Sequence, residues 1–487
     1  MSSIFNHLQR ISNSKRGIAI GCAVLLVLGV LQAMLIPLLR IARDDAPDTL
    51  EVVDLLFEAL GPNPSLKTSP DLPDWLLPLP FVLSGSMEDW GAALETLAAQ
   101  EPPLPGACHA WGRWLMLRAR YPEAVAAFQR ENQYHPHPLA RYAERDAAYR
   151  GADFAHIEAL IADPQHAPEM RGTFLLRVGI RQGNWPRILK HLWISEYSNI
   201  RPVWLILSLL AGLIWILLIG GMRSEGITLS FLPWLLAALT LGWFSTYPTL
   251  LSLFWMDKTF DLRPGSDFMS ALLYFTASVG LREEFCKLLL FLPLLPRVLR
   301  RDRENDALVL GALVGLGFAV KENLGYLLQE NDGGVAVSRF VSANLLHLSL
   351  TGINALALTR AWRDPQRWLS EALTVFAMTV GLHGLYNALL TAPVEGVGDL
   401  SVFSGTILIG CTLLFFRDLP GLARRRGFLS HSAVFLWGLC LLFNLELLLA
   451  ASTLSMGASL IVLGQGGIGA ALSALVFLHV VREPLHA

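Results

Sequence analysis

Four apolar stretches of this chain carry acids, bases and amides at helical spacing: Glu283-Glu284-x-x-Lys287, Phe318-x-x-x-Glu322-Asn323, His347-x-x-x-Thr351 and His383-x-x-x-Asn387. A charged side chain at the centre of a spanning helix costs about 2.5–3.5 kcal/mol. Arg282, Glu283, Glu284, Lys287, Lys321 and Glu322 would therefore cost on the order of 15–20 kcal/mol if each faced lipid. They must face one another or water, and a shared polar site inside a helix bundle achieves this. The residue types suit hydrolysis: a buried carboxylate balanced by Lys or His can take a proton from water. A His N–H with the amide of Asn387 can stabilise the oxyanion that forms.

Such a site requires helices that bring the four motifs to one depth and turn them inward. Counting about 1.5 Å per residue from each expected cytoplasmic end, Glu284 lies roughly 21 Å in, Glu322 roughly 24 Å, His347 roughly 20 Å and His383 roughly 21 Å. All four fall at or slightly beyond the midplane of a hydrocarbon core about 30 Å thick. Glu283 with Lys287, His347 with Thr351 and His383 with Asn387 are each four apart and share a face. Glu283 and Glu284 are rotated by about 100° and must play different roles. Gly315 and Gly317 read as points of close helix approach.

The composition agrees with a membrane chain: 487 residues, 53% hydrophobic, mean hydropathy +0.46, net charge −2. Apolar runs predict an anchor at 17–39 and spans at 203–222, 228–254, 268–298, 306–328, 336–360, 369–392, 400–416, 428–450 and 458–481, about ten in all. Basic residues follow every second span, at Arg223, Arg297 to Arg303, Arg360 to Arg367, Arg417 to Arg426 and Arg482. The other loops hold few, so both termini are expected in the cytoplasm and residues 41–200 outside, in what would be a bacterial inner membrane. The N-terminal run reads as a retained anchor, since no small-x-small cleavage site follows it.

Between Asp44 and Ile200 there are 21 acidic against 13 basic side chains and no basic stripe, which argues against nucleic acid. Cys22, Cys286, Cys411 and Cys440 lie in apolar spans and Cys108 stands alone in the soluble part, so neither a disulfide framework nor a Cys-based zinc site is expected. Four segments of the soluble part place an aromatic at a helix start before apolar residues: Trp90 with Leu94 and Leu97, Tyr121 with Val125 and Phe128, Phe154 with Ile157 and Leu160, Trp185 with Leu189 and Leu192. Their aromatics recur every 31–33 residues, near the tetratricopeptide period, while an irregular helical domain would satisfy the same pattern. Either form suits binding a protein partner better than chemistry.

The expected fold is thus all-α, a polytopic helical membrane bundle with an extracytoplasmic, tetratricopeptide-like domain between spans 1 and 2. Its parts are residues 1–40, a cytoplasmic N-terminus and anchor; 41–200, the outer domain; and 201–487, the membrane domain with a catalytic core at 268–392.

In their order on four successive spans, Glu283-Glu284-x-x-Lys287, Gly315-x-Gly317-Phe318-x-x-x-Glu322-Asn323, the His347 helix and His383-x-x-x-Asn387 resemble the PrsW-type intramembrane proteases, distant relatives of the type II CAAX prenyl proteases. The resemblance covers about residues 268–392. It implies hydrolysis of peptide bonds in membrane-associated polypeptides, with Glu283 or Glu284 activating water and Glu283 favoured by analogy. Glu322, His347, His383 and Asn387 complete the catalytic set, and Lys287, Phe318, Asn323 and Thr351 support it.

The cofactor is none or zinc. Glu322, His347 and His383 with Glu284 or Glu283 could form an N/O zinc shell. The same groups suit a metal-free glutamic mechanism, and no His-Glu-x-x-His helix is present. Two other functions fit buried Glu, His and Lys: a proton-coupled transporter or channel using them as a relay, and a catalytically idle scaffold. No inverted repeat of spans supports the transporter, and every required motif position is filled, which argues against the scaffold.

Overall fold

The computed structural model describes residues 9–39, 87–171, 173–198, 202–221, 226–260, 267–301, 303–329, 335–391, 401–417 and 430–453, with single positions at 200, 223, 459, 463, 475 and 477–479. Among them every regular element is helical. The chain divides into two units, Met1–Arg40 with Ile200–Ala487, and Ile41–Asn199.

The second unit holds Met87–Ala98 (α2), Ala107–Leu117 (α3), Tyr121–Tyr134 (α4), Pro138–Arg150 (α5), Phe154–Ala162 (α6), Thr173–Gln182 (α7) and Trp185–Ser198 (α8), after the N-terminal helix Lys15–Leu39 (α1) of the other unit. Neighbouring helices pack in sequence around Leu94, Trp114, Leu115, Phe128, Ile157, Leu160 and Phe174. Helix starts follow local chemistry: Asp153 accepts the His156 N–H at 3.0 Å and Asn184 accepts that of Arg187 at 3.1 Å. Leu189 departs from the expected pattern. It is 58% exposed, because Ile188 and Leu192 take the inward face of α8.

The other unit continues with Pro202–Gly221 (α9), Leu232–Phe260 (α10), Phe268–Tyr274 (α11), a π-helical turn at Phe275–Gly280, Leu281–Phe291 (α12), a 3₁₀ turn at Leu292–Leu294 and Leu295–Arg301 (α13). Glu304–Gln329 (α14), Val335–Val341 (α15), Ala343–Arg363 (α16), Pro365–Thr391 (α17), Ser401–Arg417 (α18) and His431–Thr453 (α19) follow. At the centre, α14 packs on α9, α10 and α16, and α16 on α17 and α18; α1 lies along α19. The start of α14 is tied down by the buried pair Arg223–Asp306, with Nε donating to Oδ1 at 3.0 Å.

Six described helical stretches are long and apolar enough to cross a membrane: Lys15–Met34, Pro202–Gly221, Glu304–Leu327, Val337–Arg363, Pro365–Thr391 and His431–Ser452, with Phe403–Arg417 a shorter apolar helix. The stretch expected as one span at 268–298 is helical throughout, with a π turn and a 3₁₀ turn within it, and it carries Arg282, Glu283, Glu284, Lys287 and Arg297. The stretch expected at 228–254 falls largely on α10, which is not among these six and contains Pro248. The span expected at 458–481 lies outside the described residues apart from single positions.

Candidate active site

The π-helical turn Phe275–Gly280 immediately precedes the helix bearing both glutamates. Such turns reset the facing of the residues that follow and recur at functional sites. This one lies tightly on α17: a Cβ on Gly384 would come within 2.2 Å of Thr276 Oγ1, and one on Gly280 within 2.7 Å of the Val380 carbonyl oxygen. Only glycines allow that approach, which carries Glu283 and Glu284 to His383. On the opposite side a Cβ on Gly315 would meet the His347 carbonyl oxygen at 2.3 Å, so α14 and α16 also touch through glycine.

Beneath the site, Glu284 is fully enclosed. Its Oε1 accepts from Lys287 Nζ at 2.9 Å and from His383 Nδ1 at 3.0 Å; its Oε2 accepts from Thr351 Oγ1 at 3.5 Å and Asn354 Nδ2 at 3.4 Å. Both oxygens are therefore occupied. Lys287, also fully enclosed, donates to His347 Nδ1 at 2.7 Å and to Glu283 Oε2 at 3.4 Å, and sits 4.1 Å from the centre of the Phe318 ring. One ammonium thus links two carboxylates, an imidazole and an aromatic face, the pairing that a buried charge needs.

Above this layer is a cavity of about 360 Å³ whose wall includes Glu283, Glu322, His347, His383 and Asn387, with Arg282 and Arg339. The hydrogen bonds assign proton positions. With Nδ1 of His347 facing an ammonium, Nε2 carries the hydrogen and donates to Glu322 Oε2 at 3.0 Å. With Nδ1 of His383 on the Glu284 carboxylate, its Nε2 is the nitrogen on the Glu283 side, 3.6 Å from Glu283 Oε2. The two imidazoles meet edge to face, with centroids 5.1 Å apart.

The structure therefore brings Glu283, Glu284, Glu322, His347, His383, Lys287, Phe318 and Thr351 into one connected cluster, with Asn387 on the cavity wall beside it. Asn323 stands at its edge, donating to Asn344 Oδ1 at 2.7 Å. Lys321 points elsewhere, 5.9 Å from the Trp243 ring centre.

Four residues of the cluster were not singled out from sequence. Asn344 and Asn354 lie with His347 and Thr351 at positions i, i+3, i+7 and i+10 of α16, a polar stripe that helical periodicity could have marked. Thr379, one turn before His383, donates to Asn354 Oδ1 at 3.0 Å. Arg339 donates from Nη2 to Glu322 Oε2 at 2.9 Å, and no local pattern announces it.

Among the described residues, Glu283, His347 and His383 form the group of possible metal ligands, with one ligand atom from each within 4.8 Å of the others. Two His and a carboxylate are a donor set used by catalytic zinc. Glu284 supplies the outer carboxylate that orients His383. His347 fits once its Nε2 releases Glu322. Glu284 and Glu322, both expected as ligands, are outside this group; their nearest partners are Lys287 and His383 for one, Arg339 and His347 for the other.

Residues 231–416 match the model of the PrsW family intramembrane metalloproteases. No curated protein and no solved structure matches the chain. The family match spans all four buried motifs, and over those residues the chain resembles the PrsW-type intramembrane proteases.

Proposed function

We propose that the cavity hydrolyses peptide bonds of membrane-associated polypeptides. The observation that carries this is the convergence of Glu283, His347 and His383 to within 4.8 Å on the wall of a cavity that also presents Glu322 and Asn387. A cavity lined by two imidazoles, two carboxylates and an amide contains the groups that amide hydrolysis requires.

In the reading favoured by the metalloprotease family, Glu283, His347 and His383 would hold a divalent ion such as zinc, and Glu322 would accept a proton from water. A bound ion supplies a Lewis acid for the scissile carbonyl and makes water more acidic. The carboxylate of Glu284 keeps the His383 proton on Nδ1. Lys287 compensates the glutamates, and Asn387 donates to the carbonyl oxygen as charge develops there. A specific observation favours a second, metal-free reading: both ring nitrogens of His347 already have partners, Lys287 and Glu322. There Glu283 is the proton acceptor, with the His347 N–H and Asn387 as oxyanion donors.

About ten spans, cytoplasmic termini, an outer domain at 41–200 of tetratricopeptide type and a location in a bacterial inner membrane belong to the same proposal. Loop charge and the aromatic period support them. The outer domain would present substrates or bind a protein partner. The test is cleavage of a panel of single-span membrane proteins by the full-length protein in lipid, comparing wild type with Glu283→Gln and Glu322→Gln, with and without chelator. Products that depend on both glutamates and disappear with chelator support the metal reading, and chelator-resistant products the glutamic one. Proton flux without cleavage would favour a transporter.

A further inference from the structure

Arg339 reaches the site from α15, a helix of seven residues. A helix that short is not stable by itself, so its position is set by whatever grips it. Two of its grips come from helices outside the family-matched span. Glu446 Oε1, in α19, accepts the Val337 N–H at 2.7 Å, and Trp215 Nε1, in α9, donates to the Phe340 carbonyl oxygen at 2.8 Å. The Phe340 ring packs against Trp215 and Phe435, with centroids 5.6 Å away in each case.

Glu446 is fully buried in α19 and is the one acidic residue of that helix. Its Oε1 caps the first turn of α15. The turn leads directly to Arg339. Its Nη2 donates to Glu322 Oε2 at 2.9 Å and its Nε to Asn323 Oδ1 at 2.5 Å, and its guanidinium lies 3.8 Å from the Tyr326 ring centre. Glu322 Oε2 in turn accepts from His347 Nε2.

We propose that Glu446 is a positioning residue of the active site: by accepting the Val337 N–H it fixes α15 so that Arg339 holds Glu322 in place on the cavity wall. The proposal rests on the proteolytic reading above and extends the working unit to α9 and α19. Glu446 acts through its acceptor oxygen, so Gln is a conservative replacement and Ala is not.

The experiment combines hydrogen exchange across residues 335–341 with cleavage kinetics, on full-length protein in nanodiscs. Glu446→Ala is expected to speed exchange in α15 by about tenfold and to lower kcat by about tenfold with KM little changed. Glu446→Gln is expected to restore both, and Trp215→Phe to move exchange in the same direction by less. In the Arg339→Gln background, Glu446→Ala should add little further loss of kcat, because both act through one contact. Unchanged exchange in Glu446→Ala, altered exchange with unaltered kcat, or independent losses in the double variant would each overturn the proposal. Exchange does not depend on turnover. A wild type that cuts nothing would therefore remove the proteolytic reading, while exchange alone decided whether Glu446 holds α15.

Discussion

Glu284 Oε1 lies 3.0 Å from His383 Nδ1 and so decides which nitrogen the ring offers to the cavity. Its sequence neighbour Glu283 sits on the other side of the same ring, 3.6 Å from Nε2. Two adjacent, identical side chains are given different work by the 100° turn between consecutive helical residues.

Exchanging each glutamate should separate these two roles. Glu283→Gln is expected to leave the melting temperature close to wild type and to reduce cleavage at least about 100-fold. Glu284→Gln should reduce cleavage by about 10–100-fold and also lower stability, because Lys287 and the His383 Nδ1–H lose their buried counter-charge. Parallel melting and cleavage measurements check both; equal stability losses in the two variants would contradict the assignment.

Lys287 is the only cation touching Glu283, Glu284 and His347 together among the contacts described. Lys287→Met keeps the apolar stem against Phe318 and removes the charge, stranding the carboxylates. A loss of about 3–5 kcal/mol is expected. Denaturant unfolding in mild detergent measures it, and Lys287→Arg, too large for an enclosed site, should not restore it.

Metal content provides a test independent of substrate. If Glu283, His347 and His383 hold an ion, the purified wild type should retain close to one zinc per chain, and His383→Ala should lose it. Retention should fall as the pH is lowered, since protons compete for the imidazoles. Elemental analysis after dialysis over a pH series reads this directly. Unchanged zinc in His383→Ala would place the ion elsewhere.

The glycine contacts predict a geometric sensitivity. Gly384→Ala and Gly315→Ala put a methyl group 2.2 Å from Thr276 Oγ1 and 2.3 Å from the His347 carbonyl oxygen, respectively. Overpacking of this kind costs about 1–3 kcal/mol. Both variants should lose more activity than stability, because the helices they push apart carry the two imidazoles. Gly405→Ala, with open space around it, is the matched control and should behave as wild type.

In the other unit, burial pushes the Cys108 thiol up to about 11, with the Glu131 charge acting in the same direction. At pH 7.5 almost no thiolate forms, and the side chain is enclosed. Maleimide labelling of the native protein should miss Cys108 at that pH and reach it only on unfolding, as mass spectrometry of the labelled peptide will show.

The sequence by itself determined that polar groups on four spans had to meet, since no lipid-facing arrangement could bear six charges. It also placed Glu322, His347, His383 and the Glu pair, because period 3.6 and segment length set their faces and depths. Continuous spans were legible where hydropathy is uniform, as in α9 and α19. At 268–298 hydropathy gave no sign of the π turn and the 3₁₀ turn that lie within the helical stretch. Only the tertiary structure set Glu284 in the enclosed layer and Glu283 on the cavity wall, through the closeness that Gly280 and Gly384 allow. It alone brought in Arg339 and Glu446, which are 107 residues apart in the chain yet joined through the first turn of α15. The physical reason is that periodicity reports which side of its own helix a residue occupies, whereas the partner it meets depends on the packing of helices distant in sequence.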